Sequence, residues 1–164
     1  VISLEDMVRK IQVAVETRTD PNFKIIARTD ARTTLGLDEA LRRGEAYARA
    51  GADILFIESP ESQEEMRRIG QTFAGHPLIA NMVEKGRTPV LSQAELENLG
   101  YKIAIFPVTA LLAAVQAMTG VYEHFKATGS SISNPVDLYD FGELSKLMGF
   151  EDVWEFEKRY VETK

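Results

Sequence analysis

Apolar and polar positions follow two different spacings along the first 128 residues of the chain. Apolar residues three and four positions apart predict helices, and short runs of consecutive apolar residues between them predict strands. The predicted strands are 24–30, 53–58, 77–81 and 101–106. Each is followed by a helical pattern, the longest running from about Thr109 to Thr128. This recurrence predicts about four βα units after a leading helix that starts at Ser3-Leu-Glu-Asp6.

The predicted strands are apolar through their centres, which is typical of parallel strands covered on both faces. Two of the following helices have predicted starts. Ser92-Gln-Ala-Glu95 has the residues of a capping box. Ser59-Pro60 is expected to open the helix after the second strand, because proline suits the first helical turn.

A different pattern begins after residue 129. A weakly hydrophobic loop, 129–135, precedes two short predicted helices at about Tyr139–Met148 and Glu151–Glu162. Their large apolar side chains are Phe141, Leu144, Leu147, Phe150, Val153, Trp154, Phe156 and Tyr160. We therefore divide the chain into βα repeats with a leading helix, 1–129, and a helical tail, 130–164. The tail must dock either on its own domain or on a neighbouring subunit, since large apolar patches usually mark interfaces.

Composition narrows the class of protein. The length of 164 residues suits one domain, and 45% hydrophobic with 27% charged residues is close to the globular average. No apolar stretch approaches the length of a membrane span. A net charge of −6 argues against a nucleic-acid partner, and the absence of cysteine excludes a disulfide scaffold, a thiolate zinc site and a cysteine nucleophile within these residues. We expect a cytoplasmic protein without a nucleic-acid or membrane partner.

Polar side chains stand at the carboxyl end of every predicted strand. They are Arg28 and Asp30, then Glu58, then Asn81, and finally Thr109 after Phe106-Pro107. In βα folds the chemistry is found at these strand ends. Burying the Arg28 guanidinium among apolar neighbours is costly unless an anion meets it. Arg28 therefore either forms a buried ion pair that holds the fold together or binds a substrate carboxylate or phosphoryl group through the two-pronged guanidinium fork. Polar residues at all four strand ends favour substrate binding.

The other strand-end residues also have two interpretations each. Glu58 is a base or a ligand for a substrate hydroxyl, or only the partner of Arg28. Asn81 contacts a carboxylate or hydroxyl, or caps a loop. Thr109 belongs to the site or is the N-cap of the long helix. Segment 82–89 is either a mobile flap that carries charges toward the site or a solvated loop.

Three segments resemble the isocitrate lyase/phosphoenolpyruvate mutase superfamily. They are Ile26-Ala-Arg-Thr-Asp-Ala31, Ala50-Gly-Ala-Asp-Ile-Leu-Phe-Ile-Glu58 and Leu78-Ile-Ala-Asn-Met-Val-Glu84. The resemblance extends from about Leu4 to the C-terminal helices. Residues 81–89 and Asp140-Phe-Gly-Glu-Leu144 are most similar to oxaloacetate hydrolase, dimethylmalate lyase and carboxyphosphonoenolpyruvate mutase.

The resemblance implies an α/β fold that forms an eight-stranded (β/α) barrel with a Mg²⁺-dependent site. Its members break or form C–C or P–C bonds beside a 2-oxo or 2-hydroxy carboxylate, through an enolate held on the metal, and they are homo-oligomers that exchange C-terminal helices. Carried over by position, Arg28 binds a substrate carboxylate, and Glu58 and Asn81 line the pocket. The turn containing Pro107 and Thr109 closes the pocket and influences specificity.

The pattern departs from the family in holding about four strands instead of eight. The chain therefore resembles the C-terminal half of the barrel plus the exchanged helices. In the family the metal-binding aspartates and a loop with a Cys-Gly-His motif lie upstream, so we expect the Mg²⁺ ligands upstream of Val1, in agreement with the missing cysteine and initiator methionine. We expect the fragment to be inactive alone and to pair with the missing N-terminal half, to self-associate or to aggregate, because open sheet edges invite pairing.

Three functions follow from this pattern and resemblance. The leading one is part of a Mg²⁺-dependent lyase that cleaves a C–C bond in a small di- or tricarboxylate. The second is a P–C bond mutase or hydrolase of the same superfamily. The third is a non-catalytic half-barrel used for assembly, against which the polar strand ends argue.

Overall fold

The computed structural model describes residues 1–161, which form helices and strands in alternation. The elements are α1 Leu4–Thr17, β1 Ile26–Thr29, α2 Ala31–Leu35, α3 Leu37–Arg49, β2 Ile54–Ile57, α4 Gln63–Thr72, β3 Ile79–Asn81, α5 Gln93–Asn98, β4 Ile103–Ile105, α6 Thr109–Thr128, α7 Phe141–Leu147 and α8 Phe150–Tyr160. The predicted end of the last helix, Glu162, lies outside the described residues. The alternating α/β order agrees with the pattern of the sequence.

The described chain forms two compact units, Val1–Leu112 and a second unit that begins at Ala113. The second unit contains most of α6 together with α7 and α8, and none of these three helices has a buried residue. Within residues 1–161 no helix is long and apolar enough to cross a bilayer. The division into βα repeats up to 129 and a helical tail from 130 stays a prediction.

All strand pairs in the first unit are parallel. β1 pairs with β2, with Arg28 opposite Phe56. β3 pairs with β4, with Asn81 opposite Ile105. A single bridge between Leu55 and Leu78 joins the two pairs in the order β1-β2-β3-β4. Parallel neighbours joined through helices are the arrangement of βα units, so the predicted repeat is confirmed over these four strands.

Helices cover one face of β1, β2 and β3, whereas β4 is exposed on both faces. The buried core lies between strands and helices, and it includes Ala27, Leu55, Ile57, Met66, Ile69, Phe73, Leu78 and Ala80. On the opposite face Ile26 is 50% exposed, and Ile103 and Ile105 are 37% and 38% exposed. The expectation of strands covered on both faces is therefore wrong for β1 and β4 within this chain.

The helix after β2 does not begin at Ser59-Pro60. Ser59 has a positive φ of 57°, and the helix begins at Gln63 after Ser62 as its N-cap. The Ser62 hydroxyl accepts from the Glu65 amide at 3.1 Å. This acceptor satisfies an amide that the first turn leaves free, so the helix starts where the serine can cap it. The predicted capping box of Ser92 and Glu95 is confirmed.

Asp53 fastens the amino ends of β1 and β2. Its Oδ2 accepts from the Ile25 amide at 2.8 Å and from the Arg18 guanidinium at 2.6 Å. These donors, the Ile25 amide first, hold the pKa of Asp53 below its ordinary value in spite of partial burial. The carboxylate thus joins the loop after α1 to the start of the sheet.

We predict that Asp53→Asn destabilises the chain at pH 7 by about 1–3 kcal/mol, since it removes charge-assisted hydrogen bonds. Because the folded pKa of Asp53 is the lower one, its stabilisation is complete above the unfolded pKa and is lost as the pH falls through the folded value. Urea unfolding at several pH values should therefore show a difference in unfolding free energy between Asp53→Asn and the unaltered chain. This difference should shrink below about pH 4. Asp38→Asn, which alters an exposed pair with Arg68, should change stability little at any pH. A difference for Asp53→Asn that persists undiminished at low pH would contradict the assignment.

Helices α4 and α5 touch through glycine. A Cβ on Gly70 would overlap the backbone carbonyl of Leu99, and the neighbouring Gly100 has a φ of +92°. Because the Leu99 carbonyl belongs to the backbone and not to a flexible side chain, it cannot move away from an added Cβ. Only glycine permits this approach.

We predict that Gly70→Ala destabilises the chain by about 3 kcal/mol, the upper range for overpacking. Gln71→Ala in the same helix, at an exposed position, is the matched control and should change stability by less than about 0.5 kcal/mol. Chemical denaturation of both variants checks this. Equal stabilities would show that α4 and α5 can separate without cost.

Candidate active site

The strand register brings three of the predicted site residues into one cluster. Arg28 Nη1 lies 3.5 Å from Glu58 Oε2, and Asn81 Nδ2 donates weakly to Glu58 Oε1 at 3.3 Å. Glu58 directly follows β2 and stands between the other two. Arg28, Glu58 and Asn81, called the strand-end cluster below, therefore form one continuous polar surface at the carboxyl ends of β1, β2 and β3.

Arg28 is held by its neighbours but is not buried. Its Nε and Nη2 donate to the two oxygens of Asp30 at 3.0 and 2.7 Å, and its guanidinium lies 5.0 Å from the centre of the Phe56 ring. The side chain is 47% exposed, so the expectation of a buried guanidinium is wrong. The reason is that Arg28 lies on the face of β1 that no helix covers, beside the exposed Ile26.

The exposure of Arg28 bears on its two interpretations. An ion pair this accessible to water contributes about 0–1 kcal/mol, so it does little to hold the fold together. The hydrogen bond from Arg28 lowers the pKa of Asp30, and the same pair raises the pKa of Arg28. The guanidinium is therefore a permanent cation, fixed in orientation by Asp30, and its Nη1 side makes only the longer contact with Glu58.

Glu58 and Asn81 are more enclosed than Arg28. The Glu58 side chain is 13% exposed, and its Oε1 also accepts from the Ser59 hydroxyl at 3.2 Å. The Asn81 Oδ1 is buried without a hydrogen-bond partner among the described residues. An amide oxygen without a donor can accept a hydrogen bond from the hydroxyl of a ligand. The cluster thus offers a cation for a carboxylate, an acceptor for a hydroxyl and a carboxylate that can take a proton.

Thr109 contacts Glu84 and does not cap the long helix. It is the first residue of α6, and its hydroxyl donates to Glu84 Oε1. Glu84 comes from the start of segment 82–89, which was predicted as a flap or a loop, so this contact joins the start of that segment to the turn after β4. Its Oε2 is buried without a partner among residues 1–161. Pro107 lies in the same turn, between β4 and α6.

Phe56 and Ser59 contact the strand-end cluster but are not among the site residues predicted from the sequence. Phe56 supports the Arg28 guanidinium, and Ser59 donates to Glu58. Strand alternation places Phe56 on the same face as Glu58, which was the available signal for Phe56. The left-handed backbone of Ser59 has no comparable signal in the sequence.

The described residues do not fit a Mg²⁺ site. Within 1–161 no group of three histidine, aspartate or glutamate side chains is placed to hold a metal ion. The two carboxylates at the cluster, Asp30 and Glu58, both face the Arg28 guanidinium, which repels a second cation.

One protein-family model and several individual proteins match this chain. The model of the phosphoenolpyruvate phosphomutase family matches residues 1–126. The 2,3-dimethylmalate lyase of Eubacterium barkeri is 51% identical over 161 residues, which are 98% of this chain and 55% of that protein.

Two solved structures are similar in fold. A crystal structure of 2,3-dimethylmalate lyase, a PEP mutase/isocitrate lyase superfamily member, has a TM-score of 0.85 at 34% identity and covers 97% of this chain and 56% of its own. Phosphonopyruvate hydrolase in complex with oxalate and Mg²⁺ has a TM-score of 0.85 at 31% identity, with 99% and 58% covered. The chain thus spans about half the length of the proteins it matches.

We predict that Thr109→Val raises the pKa of Glu84, because the Thr109 hydroxyl is the main cause of its lowered value. Thr109→Ser keeps the hydroxyl and is the matched control. An NMR titration of the Glu84 carboxyl in both variants checks the contact. Equal pKa values in the valine and serine variants would show that the hydroxyl does not reach the carboxylate.

Proposed function

The chain belongs to the phosphoenolpyruvate phosphomutase family of the PEP mutase/isocitrate lyase superfamily, and from this premise we propose that it is part of a lyase. The substrate is a small 2-hydroxy or 2-oxo di- or tricarboxylate in which a C–C bond is cleaved. The observation that carries the proposal is Arg28, an exposed and oriented guanidinium beside Glu58 at the strand ends. Among the relatives, the 51% identity to a 2,3-dimethylmalate lyase supports C–C cleavage.

Each residue of the strand-end cluster has a part in this proposal. Arg28 binds a substrate carboxylate through its Nη1 side, while Asp30 holds the other side of the guanidinium. Asn81 lines the pocket beside Glu58, to which its Nδ2 donates. The substrate hydroxyl donates its single hydrogen bond to Glu58, which takes the hydroxyl proton. For a 2-hydroxy acid, loss of that proton forms a carbonyl and breaks the adjacent C–C bond. The electron pair of that bond stays on the departing fragment as the enolate of its carboxylate, which then takes up a proton. The turn at Pro107 and Thr109 bounds the pocket and influences which substrate fits.

The cofactor in this proposal is Mg²⁺, with ligands from polypeptide outside these 164 residues. Support comes from the oxalate and Mg²⁺ in the structure of phosphonopyruvate hydrolase and from the length of the relatives. The same upstream polypeptide would complete an eight-stranded barrel of which β1 to β4 are the C-terminal half. The open face at Ile26, Ile103 and Ile105 supports that completion, since apolar side chains there are left in water.

A homo-oligomer with exchanged C-terminal helices is also part of the proposal. Helices α6, α7 and α8 contain no buried residue. Their exposed side chains include Leu111, Tyr122, Phe141, Leu147, Trp154 and Phe156. An apolar surface of this kind usually marks an interface, and a second copy of the chain is the partner that we propose.

The second candidate is a mutase or hydrolase acting on a P–C bond. It is favoured by the matching family, described as phosphoenolpyruvate phosphomutase, and by the similarity to phosphonopyruvate hydrolase. Arg28 suits either reaction, because a guanidinium fork binds carboxylate and phosphoryl oxygens equally well.

An assay of product release tests the proposal. The test protein is this chain preceded by the N-terminal half of the proposed barrel. We predict that it releases pyruvate or oxalate from a panel of 2-hydroxy and 2-oxo acids in a Mg²⁺-dependent reaction. The chain alone should release neither. Arg28→Lys should lower kcat/KM about 10- to 100-fold, because lysine cannot reproduce the oriented fork. Arg42→Lys, which alters a comparable but remote two-bond pair with Glu39, should have almost no effect.

Three outcomes would change this view. Turnover of phosphonopyruvate alone would favour the P–C reaction. Turnover by the isolated chain would contradict the proposal that the site is completed from outside it. Equal activity of the Arg28 and Arg42 variants would remove Arg28 from the site.

A further inference from the structure

The turn that follows Glu58 has an unusual backbone. Ser59 has a φ of 57°, in the left-handed region that residues other than glycine rarely adopt. From this position its hydroxyl donates to Glu58 Oε1 at 3.2 Å. Non-glycine residues persist in such conformations only where the surrounding structure enforces them. Some contact must therefore hold this turn.

Arg32, from α2, holds the far end of the same turn. Its Nε and Nη2 donate to the two oxygens of Glu65 at 2.9 and 2.6 Å, and its Nη1 lies 2.5 Å from Glu61 Oε1. Glu65 Oε2 in turn accepts from the Glu61 amide at 2.8 Å. The side chains of Arg32 and Glu65 are 17% and 22% exposed, whereas that of Glu61 is 44% exposed. The Arg32–Glu65 pair is therefore the more shielded part of this network.

We infer from this geometry that Arg32 is a positioning residue for Glu58. It fixes Glu61 and Glu65, and these fix the turn that keeps Ser59 left-handed and its hydroxyl on Glu58. Glu58 is thereby held within reach of Asn81 and Arg28. The role of Arg32 in substrate binding rests on the proposed function, whereas its effect on the position of Glu58 does not.

A purely structural role for Arg32 would tie α2 to α4 and leave Glu58 in place. The two roles differ in what Arg32→Lys does to Asn81. Lysine keeps the charge but cannot bind both Glu65 oxygens and Glu61 together. If Arg32 positions Glu58, the turn relaxes, Glu58 moves, and the hydrogen bond from Asn81 Nδ2 changes.

The test uses the side-chain amide signal of Asn81 in the chain labelled with ¹⁵N-asparagine. The chain has four asparagines, Asn22, Asn81, Asn98 and Asn134, and Asn81→Asp assigns the signal. We expect Arg32→Lys to shift it and Arg42→Lys to leave it unchanged. In the protein that joins this chain to an upstream half, oxalate affinity in the presence of Mg²⁺ should fall about 10-fold for Arg32→Lys, the lower end of the loss for removing an outer partner of a site residue.

The outcomes separate the inference from the proposed function. An unshifted Asn81 signal in a folded Arg32→Lys variant overturns the inference, even if oxalate binds. A shifted signal supports it, even if the unaltered protein fails to bind oxalate, which would count against the proposed function alone. If Arg32→Lys does not fold, Glu61→Gln removes one contact of the network at a half-exposed position and is judged by the same signal.

Discussion

The register of the parallel strands is the constraint on which the rest of the structure depends. Side chains alternate between the two faces of a strand, so a slip of one residue would turn every strand-end side chain to the other face. The pairing of Arg28 with Phe56 and the bridge between Leu55 and Leu78 place Glu58 between Arg28 and Asn81. The backbone hydrogen bonds between strands therefore bring these three side chains together. Asp53 at the opposite ends of the strands helps to hold this register, since it binds the Ile25 amide where β1 and β2 begin.

The charges at the strand ends contribute little to stability, and in the proposed site they would bind an anion. Arg28 faces two carboxylates, but only Asp30 makes hydrogen bonds of ordinary length with it. The Nη1 contact with Glu58, at 3.5 Å, is longer and weaker. An incoming carboxylate can therefore take the Nη1 side without displacing Asp30. Because Asp30 keeps the guanidinium oriented before the ligand arrives, less rotational freedom is lost on binding.

Much of the fold was predictable because its signals are local. The spacing of apolar residues indicated the four βα units, the bounds of α6 agree with the structure, and Ser92 with Glu95 forms the predicted capping box. Arg28, Glu58 and Asn81 were predictable as a group because parallel strands end at one edge. The errors arose where a distant contact competes with a local preference. Ser62 caps the helix whose start was expected at Ser59-Pro60. Glu84 accepts from the Thr109 hydroxyl, for which capping of α6 was one of two interpretations. The exposure of Arg28 depends on what covers the sheet, which the residues near it do not encode.

The exposed charges and the exposed apolar side chains of the first unit have a common cause. Register puts Arg28 on the same face as Phe56, and Asn81 on the same face as Ile105. In the proposed barrel, the polypeptide that covers Ile103 and Ile105 would also face the strand-end cluster. Covering the isoleucines is favoured by removal of apolar area from water, and the same event strengthens the attraction between Arg28 and a bound carboxylate by excluding water. In the proposed barrel, completion of the fold and activation of the site are then one step, so a substrate anion bound at Arg28 should stabilise the completed barrel over the open half.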